Sequence, residues 1–107
     1  AGGSAAILLG VRHADRVAAI ANHAGRNPFD GVWPTTPWER DVAAQFIHDP
    51  EDPVVSRAAV QDGVDMWEAA GQVYELIFDY DRGHEYVSEL LHPPMFEFFG
   101  SVCNDRE

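Results

Sequence analysis

The stretch Thr36-Pro37-Trp38-Glu39-Arg40-Asp41-Val42-Ala43-Ala44-Gln45-Phe46-Ile47-His48 decides how the whole chain is read. Its start satisfies a capping box. The Thr36 hydroxyl is placed to accept from the amide three residues on, Pro37 has no amide to leave unpaired, and Glu39 reaches back. Trp38, Val42, Gln45 and Phe46 then recur at helical spacing. The segment predicts a helix over 37–48, closed by Pro50.

Upstream, residues 26–37 (RNPFDGVWPTTP) hold three prolines and one glycine, so no regular element fits there. Phe29 and Trp33 give this loop something to bury, which predicts an ordered connection. Between Ala5 and Ala24, Ile7, Val11, Ala14, Val17, Ala18 and Ala21 share one arc at ~100° per residue. Gly25 follows where a left-handed cap is expected. That predicts a first helix over 5–24, with Ala1–Ser4 a flexible leader outside a single domain at 5–107.

Downstream, Asp52 is a good N-cap and Pro53 a good first helical residue. Val64, Trp67, Ala70, Gly71, Tyr74 and Phe78 keep the helical period, predicting a third helix from Pro53 to about Asp79. Gly63 and Gly71 each cost about 1 kcal/mol inside a helix. Either the helix breaks at Asp62-Gly63 or another backbone packs closely against those glycines, and the sequence leaves both open. A rival reading starts from the alternation of Tyr74, Leu76, Phe78 and Tyr80, with Asp81-Arg82-Gly83 turning a hairpin across 73–91. Val87, Leu90 and Leu91 suit a short fourth helix stopped by Pro93-Pro94. The expected fold is all-α, a small bundle of about four helices, with α+β carrying that hairpin as the alternative.

Composition narrows the classes of function. The chain has 107 residues, enough for one core. Eighteen Asp and Glu oppose seven basic residues, for a net charge of −11. Every basic residue is Arg and there is no Lys. Nucleic acid and anionic membranes would meet net repulsion, so neither is an expected partner. Cys103 is the single cysteine, which makes a reducing, cytoplasmic setting the default expectation. No run approaches the roughly 20 apolar residues of a membrane span.

Chemistry has to be sought in the histidines and carboxylates. His13-Ala14-Asp15-Arg16-Val17-Ala18, followed by Ala43-Ala44-Gln45-Phe46-Ile47-His48-Asp49, resembles the opening of the HD-domain metal phosphohydrolases. That resemblance implies His13, His48 and Asp49 as ligands of a divalent metal that activates water against a phosphate ester. The family also uses a later Asp, for which Asp62, Asp65 and Asp79 are present. Ile7–Ala14 is similar to the Arg-His start of the histidine phosphatases, a resemblance that implies a parallel sheet and a phosphate-accepting His13.

No complete catalytic set can be named from the sequence. It therefore favours a non-catalytic binding, regulatory or subunit-like protein, without cofactor, acting through protein contacts. The dense cluster Met95, Phe96, Phe98 and Phe99, together with Trp33, is the expected partner surface, suited to a partner with a basic rim. A reduced HD-type phosphohydrolase holding a divalent metal is the alternative.

Overall fold

The computed structural model describes residues 2–13, 17–26, 28 and 41–104. In chain order the elements are α1 (Gly2–Arg12), β1 (Ala19–His23), β2 (Ala43–Ile47), α2 (Arg57–Ala69), β3 (Tyr74–Ile77) and α3 (Ser88–Asn104). The strands form one sheet in the order β1-β2-β3. Both pairings are parallel: Ala19 faces Ala43 and His23 faces Ile47, while Ala44 faces Tyr74 and Ile47 faces Ile77. Among the described residues the fold is therefore α+β, with three helices on a parallel sheet, and the all-α bundle is overturned.

The decisive stretch is where the helical reading fails. Residues 43–47 are the central strand, and all five are buried. A strand covered on both faces has no polar side, so its sequence carries no period-two signal. Five apolar or amide residues in a row then pass for helix. Val42, Ala44 and Phe46 face Ile7 of α1 and Val60, Val64 and Trp67 of α2. Ile47 faces the other way, onto Leu91 of α3 and Tyr80. Helices thus cover both faces of β2. The capping box at 36–39, with Trp33 and Phe29, lies outside the described residues.

The first helix ends at Arg12, and the expected continuation to Ala24 is instead β1. There Ile20 and Asn22 are buried while Ala19, Ala21 and His23 are half-buried. Gly2–Ser4, expected outside the fold, form the first turn of α1. The helix packs so closely on the end of β1 that a Cβ on Gly3 would lie 2.8 Å from the Gly25 backbone.

The third helix is shorter than its periodicity predicts. α2 is capped by Ser56, whose Oγ accepts from the Ala59 amide at 3.2 Å, and not by Asp52. It runs unbroken through Gly63, which is buried because Phe46 and Ile7 press on it; an added Cβ would sit 3.3 Å from the Phe46 ring. It ends before Gly71, whose φ of +71° turns the chain back into the sheet. The alternation seen from Tyr74 is strand β3, but it pairs in parallel with β2, and no hairpin partner forms at 84–91 among the described residues. β2-α2-β3 is a βαβ unit.

Pro93-Pro94 does not stop the last helix, which continues to Asn104. The prolines remove two backbone donors. Burial of Leu91 and Phe98 and the hydrogen bond from Gln45 Nε2 to the Pro94 carbonyl (3.2 Å) hold this helix on the sheet. Among the described residues no helix is long and apolar enough to cross a membrane.

Candidate functional site

Three parallel strands end at one edge of the sheet. That edge, beyond the carboxyl ends, is where open sheets with covering helices hold ligands. β1 finishes on His23, and β2 runs into His48, Asp49 and the loop to Val55. β3 runs into Tyr80 and a loop carrying His84 and Tyr86. Because the three strands are parallel, they deliver these residues to one edge.

Asp52 stands at the centre. Its side chain is fully buried, its Oδ1 accepts from the amides of Val54 (2.7 Å) and Val55 (3.1 Å), and its Oδ2 lies 2.8 Å from His84 Nδ1. Burial pushes the Asp52 carboxyl up, but the hydrogen bonds from His84, Val55 and Val54 and the charge of His84 outweigh it. The net shift is downward, and Asp52 is a carboxylate at neutral pH. A carboxylate only accepts, so His84 Nδ1 carries the hydrogen. The ring's other nitrogen, Nε2, has no described residue hydrogen-bonded to it. The His84 side chain is 37% exposed.

The loop that carries His84 is held at three other points. The Asp49 carboxylate accepts from the Glu51 amide (2.8 Å) through Oδ1 and from the Gly83 amide (2.7 Å) through Oδ2. It thus ties the Asp52 loop to the residue immediately before His84. Gly83 has φ +61°, a conformation that other residues adopt only with strain. The buried Tyr80 hydroxyl donates to the Glu85 carbonyl (2.6 Å) and accepts from the Val87 amide (3.0 Å). His48, fully buried, closes the Asp52 loop by donating from Nε2 to the Val55 carbonyl at 2.8 Å. Its distance to Asp52 Oδ2, 3.8 Å, is too long for a hydrogen bond.

Asp49→Asn keeps one acceptor and turns an amide donor toward one of the two backbone amides. Urea denaturation is expected to show a loss of about 1–3 kcal/mol, the usual cost of a donor left without its acceptor. An unchanged midpoint would mean that the Asp49 bridge does not hold the two loops together.

His23 contributes a ring to the same place, 5.7 Å from Tyr80, 6.1 Å from His84 and 5.3 Å from Tyr86. Burial, and secondly the charge of His84, lower its pKa below the usual 6.5, against an opposing pull from Asp52. The unfolded chain therefore binds a proton that the folded one resists. The stability His23 allows at neutral pH is lost as the pH falls from 6.5 toward the lower folded value. His23→Phe removes that proton, so its loss of thermal midpoint between pH 7.5 and 5.5 is expected to be smaller than that of the unsubstituted chain. Equal losses in both would contradict the assignment.

The residues singled out from sequence divide. His48 and Asp49 lie at this site, as supports of its loops. His13 does not join them: it is exposed at the far end of α1, where the chain enters the opposite, amino-terminal edge of the sheet. Among the described residues no group of three or more His, Cys, Asp or Glu is arranged to hold a metal. Of the aromatic cluster, Phe98 is buried, Met95 and Phe99 are half-buried and Phe96 is 63% exposed. Trp33 lies outside the described residues.

His84, His23 and Tyr86 were not singled out from sequence, whereas Asp52 was, as a helix cap close to His48-Asp49. The signal available was a polar turn after each short apolar run, with Asp52 next to Pro53 and His84 next to Gly83. No family model matches the chain, and neither a curated protein nor a solved structure matches it.

Proposed function

We propose that this chain carries the acid–base pair of a hydrolase that cleaves esters by acyl transfer. The observation that supports the reading is the buried, ionised Asp52 bonded at 2.8 Å to Nδ1 of a half-exposed His84 whose other nitrogen is open. A carboxylate that fixes the tautomer of a histidine and stabilises its protonated form is the supporting half of a catalytic triad. The chain order fits as well. In α/β-hydrolases the acid precedes the base, with the triad at the carboxyl edge of the sheet, and Asp52 after β2 and His84 after β3 keep that order. The correspondence of sheet and order is an analogy; the pair geometry carries the proposal.

In this reading His84 Nε2 takes the proton of the attacking hydroxyl as its oxygen bonds to the ester carbonyl carbon. The resulting imidazolium is steadied by Asp52, and it returns the proton to the departing alcohol as the carbon–oxygen bond breaks. The first turn of α1 lies at the same edge, because it packs on Asn22 and Gly25. A helix amino end there favours a developing oxyanion. No described hydroxyl or thiol is hydrogen-bonded to His84, and this reading assigns the attack to water.

The test is hydrolysis of p-nitrophenyl acetate by the full chain and by His84→Gln. Turnover by the unsubstituted protein and loss of it in His84→Gln support the reading. Equal turnover in both proteins would overturn it. A net charge of −11 further supports neutral or cationic substrates over phosphate-bearing ones.

A further inference from the structure

We propose that the rings of His23, Tyr86, His92 and Phe96 form one binding strip for an uncharged, ring-bearing ester substrate. The strip starts beside His84 and leads outward along α3. It rests on the reading of Asp52 and His84 as the hydrolytic pair.

Continuity of the rings is the first observation. From His23 the contacts run to Tyr86 at 5.3 Å, edge to face, then to His92 at 5.5 Å and to Phe96 at 5.4 Å. These separations fall within the range of favourable ring pairs. The inner end touches His84 through His23 at 6.1 Å. The outer end is open, with Tyr86 41% and Phe96 63% exposed. Rings buried for packing alone would not leave Tyr86 and Phe96 exposed in a row whose inner member lies beside the His84 ring.

Charge decides the class of occupant. Burial lowers the His23 pKa below the usual 6.5, which disfavours a positive charge on that ring at pH 7. Along the Tyr86–Phe96 part of the strip the neighbouring charged side chains in sequence are Glu85, Glu89 and Glu97, while Arg82 lies 3.5 Å from Asp81. A substrate bearing a carboxylate or phosphate would meet those acidic neighbours along α3. An aromatic ring instead extends the strip by presenting its edge to the Tyr86 or Phe96 face. One polar atom completes the picture: His23 Nε2 is buried and has no hydrogen-bond partner. A few polar groups set in an apolar lining is what small-molecule sites use to orient a ligand.

The test separates binding from turnover. The full chain is titrated with N-benzyl-phenylacetamide, a hydrolysis-resistant counterpart of benzyl phenylacetate, while the ring signals of His23, Tyr86, His92 and Phe96 are followed by NMR. Saturable shifts at these rings are expected, and His84→Gln is expected to keep them. Tyr86→Ala and Phe96→Ala, both at exposed positions, are each expected to weaken binding roughly 3–10-fold. The same amide with a carboxylate on its benzyl ring is expected to bind more weakly than the parent. If benzyl phenylacetate is hydrolysed but the amide gives no saturable shift, the strip is wrong and the acid–base pair stands. If the shifts appear without any hydrolysis, the pair is wrong and the strip stands as a ligand site. Shifts that follow protein concentration with no amide present would mean that a second copy of the chain covers the rings, which also overturns the proposal.

Discussion

Asp52→Asn is expected to fold and to hydrolyse p-nitrophenyl acetate about 10³–10⁴-fold more slowly than the unsubstituted chain, the scale of loss when a triad acid becomes an amide. The reasoning follows the two oxygens of Asp52 separately. Asn keeps Oδ1, so the Val54 and Val55 amides retain their acceptor and the turn after Pro53 survives. The other atom becomes an NH₂ facing His84 Nδ1 at hydrogen-bond distance. Two donors cannot face each other, so the ring shifts its hydrogen to Nε2, the atom that has to be bare to act as a base. The imidazolium also loses the carboxylate that steadies it. Two-dimensional NMR of ¹⁵N-labelled histidine reports the tautomer directly and is expected to show His84 changing from Nδ1–H to Nε2–H. A folded Asp52→Asn with an unchanged His84 tautomer would sink the account, whatever its activity.

The second large effect is on stability. Trp67→Ala is expected to cost about 3–5 kcal/mol, out of the 5–15 kcal/mol that holds a typical domain. Trp67 is fully buried in the cluster between α2 and β2, edge to face with Phe46 at 5.7 Å. Its indole donates to the Val42 carbonyl at 2.9 Å, just before β2 begins. Alanine leaves a cavity beneath the central strand and removes that donor together. Because β2 carries Asp49 and Asp52 to the edge of the sheet, the site is expected to loosen with it. Trp67→Phe fills most of the volume without the indole donor and is expected to lose about 1–3 kcal/mol, mainly through the missing hydrogen bond. Chemical denaturation of the three proteins checks the order, and a Trp67→Ala loss under about 1 kcal/mol would contradict the packing described.

How much was legible varied from element to element. At Gly63 the helix neither breaks nor meets another backbone: the side chains of Phe46 and Ile7 pack on it. The turn at Asp81-Arg82-Gly83 was placed correctly, but its use was misread. Gly83 ends a parallel strand's loop and donates to Asp49, whereas a hairpin would have returned the chain onto β3. Proline was overweighted at both ends. Pro53 signals a helix start that Ser56 provides, and Pro93-Pro94 signal a stop that packing on the sheet overrides. The two histidines joined by the phosphohydrolase resemblance are separated because α1 runs antiparallel to β1, which leaves His13 at the opposite edge from His48.

By itself the sequence determined the acidic balance that disfavours polyanions, the material for one core, and the local turns that take their geometry from glycine and proline. These depend on residue type and near neighbours alone. Only the tertiary structure decided that residues 43–47 are a strand, because burial on both faces erases the alternation by which a strand is read. It alone also decided that Asp52 and His84, 32 residues apart, form a hydrogen-bonded pair. Parallel strands bring their carboxyl ends to one edge, and the chemistry of that edge is set by which residues the register places there.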